Sequence, residues 1–220
     1  MAFLVVSLAG LGAGAAPELF LPAHLAGSLR VLPALPTLLA AQAGFVLLFF
    51  PLLYLPRRQG PPWPHVAIVA AQAGLWLAAS IPMYMAAAWL SDATTADVCR
   101  AVAYLVGLWL AGWGLGSCVA SGRSALAVAA VLVCLLTAVG LPVVSYLLAE
   151  LAGDAVAAGG LALVAPVLRV FELARRSEVL LPGPWWSWAL WPAVGLTAGL
   201  VRLLVRAPQA PRATSSRHQA

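Results

Sequence analysis

Gln42 and Gln72 are the side chains in this sequence best placed to do polar work in apolar surroundings. Each is preceded by Ala-Ala, followed by Ala-Gly, and falls inside a long hydrophobic run. A glutamine amide in that setting either bonds to a neighbouring helix or contacts a ligand, and interhelical bonding is the simpler role. Groups for harder chemistry are missing at such positions. His24 and His65 fall in loops or at the edges of apolar runs, and His218 falls in the C-terminal tail. No carboxylate interrupts the middle of a run, and Cys99, Cys118 and Cys134 lack metal-ligand spacing. Neither a Gly-Lys-Ser phosphate loop nor a His-Glu metal pair occurs. Hydrolysis at membrane depth needs a nucleophile and base or a metal-held water, and proton-coupled transport usually needs an intramembrane carboxylate. The chain is therefore expected not to be an enzyme and to need no cofactor or metal. Cys118 and Cys134 read as small buried thiols.

The elements that must position the glutamines are themselves apolar. Of 220 residues, 63% are hydrophobic and only 9% are charged, and the charges gather in the gaps between six apolar runs. A helix of about 20 apolar residues crosses the ~30 Å hydrocarbon core while satisfying its own amides. The expected fold is an all-α polytopic membrane helix bundle of about six transmembrane helices, at 1–21, 37–55, 66–90, 101–121, 125–148 and 186–205. Together they form one domain over 1–206, followed by a disordered tail at 207–220. The first run contains Gly10, Gly12, Gly14 and Pro17, and it has a second reading as the core of a cleaved signal peptide. That reading lacks the usual basic residues ahead of the core.

All twelve basic residues are arginine, which fits a GC-rich coding bias more simply than phosphate chemistry. The net charge of +5 does not point to nucleic acid, because the arginines sit in loops and at run ends rather than on one face. Loops rich in Arg tend to stay on the cytoplasmic side. Arg57, Arg58, Arg123, Arg206, Arg212 and Arg217 mark one side, and the acidic gaps holding Asp92, Asp97, Glu150 and Asp154 mark the other. Both termini are then cytoplasmic. Arg30, Arg169, Arg175 and Arg176 run against this count.

The gap from Glu150 to Pro184 contains an apolar stretch, Val156 to Leu168, that is too short to span. Extending it would draw Arg169, Arg175 and Arg176 toward lipid at roughly 2.5–3.5 kcal/mol each near a helix centre. A re-entrant or amphipathic helix fits better, with Val167, Leu168, Val170, Phe171 and Leu173 on the side facing the bundle and Arg169, Glu172, Arg175 and Arg176 as its polar partners. Pro182, Gly183 and Pro184 end it. Trp185, Trp186, Trp188 and Trp191 then read as a headgroup-level belt, with a substrate-stacking box as the sharper alternative.

The stretch from Gly107 to Ala127 reads Gly-Leu-Trp-Leu-Ala-Gly-Trp-Gly-Leu-Gly-Ser-Cys-Val-Ala-Ser-Gly-Arg-Ser-Ala-Leu-Ala. It resembles the type-2 ABC exporter permeases, in which a Gly-rich span ends in a short serine-and-arginine turn and an alanine-rich span follows directly. Gly107, Gly112, Gly114 and Gly116 allow close backbone approach, and Arg123 anchors the turn at the headgroups. The resemblance extends to short external helices between the fifth and sixth spans and to Ala165-Pro166-Val167-Leu168-Arg169-Val170-Phe171. It covers 37–206 in layout and about 101–175 in sequence. It implies a second permease subunit alongside, as a homo- or heterodimer in a bacterial inner membrane, and separate cytoplasmic ABC ATPases faced by Arg57, Arg58, Trp63 and Arg123.

Two features depart from that family. Its coupling helix would fall where this chain reads Pro56-Arg57-Arg58-Gln59-Gly60-Pro61-Pro62-Trp63-Pro64-His65, and three prolines within four residues are expected to prevent a regular helix there. The sequence opens directly in the first run, so the amphipathic helix that the family places ahead of its first span is not expected here. A permease subunit is thus the leading expectation, with membrane lipid as surroundings and no nucleic-acid partner. A non-transporting scaffold or assembly factor is the alternative, and a membrane enzyme or secondary carrier comes third.

Overall fold

The computed structural model describes residues 2–20, 33–54, 62–119, 124–151, 155–174 and 184–206. Every regular element among them is helical. In chain order these are α1 (Ala2–Phe20), α2 (Ala34–Gly44) with its π-helical continuation Phe45–Tyr54, α3 (Pro62–Ala79), α4 (Ile81–Leu90) and α5 (Thr95–Val119). There follow α6 (Ser124–Leu135), a π-helical turn at Leu136–Gly140, α7 (Leu141–Glu150), α8 (Ala155–Val164), α9 (Pro166–Leu173) and α10 (Trp186–Arg206).

Prolines explain where the apolar segments deviate from regular helix. A proline lacks the N–H that would bond four residues back, and its ring crowds that carbonyl, so the chain widens or bends. Pro51 lies inside the π-helical stretch after α2. Pro142 is the second residue after the π-helical turn that joins α6 to α7. Pro82 opens α4, and α3 and α4 meet at Ser80 with a bend of 44°.

By length and composition two helical segments can cross a membrane, Thr95–Val119 and Ala125–Glu150. The bent pair Ala67–Ala79 and Ile81–Leu90 makes a third if counted as one span, while Ala2–Ala15 and Ala34–Phe49 are shorter apolar helices. Two or three segments among the described residues meet this test rather than six: the break at Ser80 divides one run, and the described apolar parts of α1 and α2 are shorter than a span.

The run with Gly10, Gly12, Gly14 and Pro17 forms one unbroken helix. One expectation about breaks is corrected. Pro62, Trp63 and Pro64 lie in the first turn of α3, so prolines there start a helix instead of preventing one. The first backbone N–H groups of a helix have no intrahelical acceptor, and proline gives up nothing by lacking them. Arg57, Arg58 and Arg123 lie outside the described residues, as does the tail.

The most extensive packing joins α10 to α5, then α1 to α2. α9 rests on α2 and α5. The main core is built from Leu35, Leu38 and Leu39 of α2, Leu105 and Leu108 of α5, and Val170 and Leu173 of α9. A smaller cluster, with Leu115, Cys118, Ala130 and Cys134, closes the opposite end of α5.

The turn before α5 is tightly specified. Leu35 N–H donates to Ser91 Oγ at 2.9 Å, tying this turn to the start of α2. Asp92 adopts φ 52°, a left-handed conformation that aspartate tolerates better than most residues. Thr94 caps α5 reciprocally: Asp97 N–H donates to Thr94 Oγ1 at 3.3 Å, while Thr94 N–H and its hydroxyl donate to Asp97 Oδ2 at 2.8 and 2.7 Å. Thr94→Val is expected to lower the unfolding free energy by about 1 kcal/mol, measured by denaturant titration in micelles.

Candidate functional site

Two buried polar constellations lie along the bundle. The first is centred on Gln42. Three helices each bring a polar residue and, one turn away on the same face, an aromatic ring: Phe3 and Ser7 from α1, Gln42 and Phe45 from α2 and its continuation, and Trp76 and Ser80 from α3 and its end. The spacings of three and four residues stack a polar layer on an aromatic one.

In the polar layer Gln42 Nε2 donates to Ser7 Oγ at 2.9 Å and, more weakly, to Ser80 Oγ at 3.4 Å. The Tyr84 hydroxyl donates to Gln42 Oε1 at 2.7 Å. Ser7 and Ser80 pass their own protons to Phe3 O and Trp76 O, one turn back. Both amide donors and the amide oxygen are thereby engaged in a layer where Ser7, Gln42 and Ser80 are wholly buried. In the aromatic layer Phe3 stacks on Trp76 at 5.2 Å between centroids, and Trp109 of α5 approaches Trp76 at 5.3 Å.

This geometry makes Gln42 a junction between α1, α2 and the α3–α4 break. Gln72 has the same flanking residues but is half-buried, two turns before Ser80 on α3. Gln42→Leu removes three hydrogen bonds and deprives the Tyr84 hydroxyl of its acceptor. With membrane hydrogen bonds averaging about 0.6 kcal/mol and a stranded buried group costing more, a loss of about 2 kcal/mol is expected. Tyr84→Phe should cost less than half of that, both being read from unfolding in mixed micelles.

The second constellation sits at the end of the bundle where α5 starts. Asp97 and Arg100 form an ion pair one turn apart, and both are buried. Arg169 of α9 donates to Glu172 Oε2 at 3.2 Å and, across to α10, to Ser187 Oγ at 3.3 Å. Tyr104 lies on the same face of α5 as Asp97 and Arg100. Its ring meets Trp188 edge-on at 5.9 Å.

Arg169 corrects the expected polarity of α9. Pro166, Arg169, Val170 and Leu173 form its buried face, and Arg169 is 2% exposed, while Glu172 is the exposed member. A period of 3.6 places position 169 on the stripe of 166, 170 and 173, and the arginine is accepted inward because α10 supplies an acceptor. Asp97 likewise lies inside a helix that begins at Thr95, earlier than the expected start at Ala101.

The tryptophans after Pro184 divide between two environments. Trp185 and Trp186 are exposed, as a headgroup belt requires, whereas Trp191 is buried and its Nε1–H donates to Val164 O at 3.1 Å. Cys118 and Cys134 are buried, and Cys118 Sγ–H donates to Ala198 O at 3.4 Å, joining α5 to α10. No group of three His, Cys, Asp or Glu side chains capable of holding a metal occurs among the described residues. The Gln42 layer bonds across helix interfaces, whereas the second constellation pairs its charges within single helices and crosses an interface at Arg169 and Ser187.

The class defined by these observations is an all-helical bundle with two or three segments able to cross a membrane, tied together by buried polar junctions. Comparison with protein-family models, with curated proteins and with solved structures finds no match to this chain.

Proposed function

We propose that this chain is the membrane-spanning permease subunit of an ATP-driven ABC exporter, itself non-catalytic. The observation that carries this reading is the order of its helices. Two short helices, α8 and α9, stand between the fifth and sixth apolar segments, and α9 is seated on α2 and α5. The Gly-rich α5 is also the helix against which the last apolar segment packs most extensively. In this reading all six apolar segments cross a bacterial inner membrane, the bent or shorter ones by tilt or local thinning of the bilayer. Both termini are cytoplasmic, a second permease subunit lies alongside, and Arg57, Arg58, Trp63 and Arg123 face the ATPase.

The test is purification from the native membrane under mild detergent. An ATPase carrying a Gly-x-x-x-x-Gly-Lys-Ser/Thr phosphate loop should copurify, and Arg57→Glu with Arg58→Glu should release it without unfolding the permease. Repeated recovery without any ATPase would reject the proposal. A second reading, a non-transporting scaffold, is favoured by the closed bonding of the Gln42 layer, which offers no polar group to a passing substrate. It predicts a stable complex whose composition is indifferent to ATP.

A further inference from the structure

The 44° bend between α3 and α4 opens a lateral crevice of about 780 Å³ between this broken segment and the first half of α5. Ile81, Met85 and Ala88 form one wall, and Val98, Cys99 and Ala103 form the other. We propose that this crevice is a binding site for one acyl chain of a membrane lipid, entering from the side of the bundle. The inference holds whether the chain is a permease or a scaffold, since it requires only that these segments lie in a bilayer.

The lining selects the ligand. Almost all of it is hydrocarbon, and the Tyr84 hydroxyl is already committed to Gln42 Oε1, so that residue presents chiefly its ring. Thr95, with Ala93 beside it, sits at the outer end, where α5 begins, and Ala103 lies eight residues further along the helix. At ~1.5 Å per residue this is a depth of about 12 Å. One leaflet contributes roughly 15 Å of hydrocarbon, so the depth suits a single tail with its polar end at the threonine.

The crevice is also built to persist. Ser80 and Tyr84 bond to Gln42, which ties the bend to α2. In a bilayer no hydrophobic force would close the gap, because lipid tails are as apolar as the side chains. Left empty it forfeits dispersion contacts, and water entering it would find few polar partners. Its rim continues onto Ile81, Met85 and Trp89, which are 53%, 70% and 83% exposed, so the route from the lipid is apolar throughout.

The test uses the full chain in lipid nanodiscs containing a phosphatidylcholine with a diazirine at the end of one acyl chain. Photo-crosslinks to Ile81–Ala103 should exceed those on the exposed Leu132, Leu136 and Val143 by about tenfold, the signature of a site rather than of annular lipid. Ala103→Phe, or Ala88→Phe should the first variant fail to fold, fills the crevice and should abolish that excess while leaving crosslinks on Leu132 and Leu136 unchanged. Equal crosslinking on both faces, or an excess that survives both substitutions, would overturn the proposal. Cys99 provides an independent readout, being the exposed thiol while Cys118 and Cys134 are buried. In the nanodisc it should resist a charged, water-soluble maleimide. Reaction as fast as in the unfolded chain would show that water fills the crevice and would equally overturn the proposal.

Discussion

Gly195→Ala is expected to destabilise the bundle by about 3 kcal/mol or more, through overpacking that cannot relax. A Cβ at Gly195 would fall on the Leu110 carbonyl, with Ala111 N 2.6 Å away, and one at Gly114 would fall on the Gly195 carbonyl, with Gly195 Cα 2.7 Å away. These neighbours are backbone, so relief requires moving a whole helix. α5 and α10 form the largest contact in the fold, and separating them loosens Cys118 from Ala198 as well. Gly114→Ala should behave alike. Gly199→Ala should be milder, because the Trp113 ring it meets at 2.8 Å is a side chain able to shift. Gly12→Ala and Gly74→Ala, with nothing within 4 Å, are the controls and should stay within about 0.5 kcal/mol of the parent. The measurement is the midpoint of unfolding in SDS and dodecylmaltoside mixtures. If the controls fell as far as Gly195→Ala, helix contact would not be the cause.

Arg100→Leu is the second large expected loss, at about 3 kcal/mol. Asp97 is wholly buried and Arg100 is 7% exposed, so removing the guanidinium deprives a buried carboxylate of its ion-pair partner. The Thr94 cap and the helix N-terminus soften this cost without cancelling it. Asp97→Asn combined with Arg100→Leu should recover part of the stability, because the stranded charge is gone even though the cap is weakened. The cycle of single and double variants therefore separates the pair's own contribution from the penalty of an orphaned charge. Additive losses would show that the two residues act independently. The Arg169 pair should matter less, since Glu172 is half exposed and can turn to water.

The apolar runs were legible because hydropathy alone marks segments that avoid water, and the described parts of each are helical. Their internal breaks were legible in part, since Pro51, Pro82 and Pro142 stand in the sequence. What a proline does there depends on its surroundings: a widened helix near Pro51, a π-helical turn ahead of Pro142, a bend where Gln42 reaches Ser80. The inward face of α9 was readable from its period, but charge type argued the other way for Arg169. An acceptor on α10, far along the chain, decides that conflict.

By itself the sequence determined that the chain is helical and apolar, and it supplied glutamines, glycines and arginines at helical spacings. Local chemistry suffices for this, because backbone bonding and hydropathy act over one or two turns. Only the tertiary structure decided where each copy of a repeated pattern is placed. Gln42 and Gln72 share their flanking residues, yet Gln42 alone of the two sits where Ser7, Ser80 and Tyr84 converge. Gly10 and Gly14 of α1 touch Ala41 and Ala34 of α2, while Gly12 between them faces open space. The physical reason is that burial and hydrogen bonding belong to pairs of surfaces, and one helix carries only half of each pair.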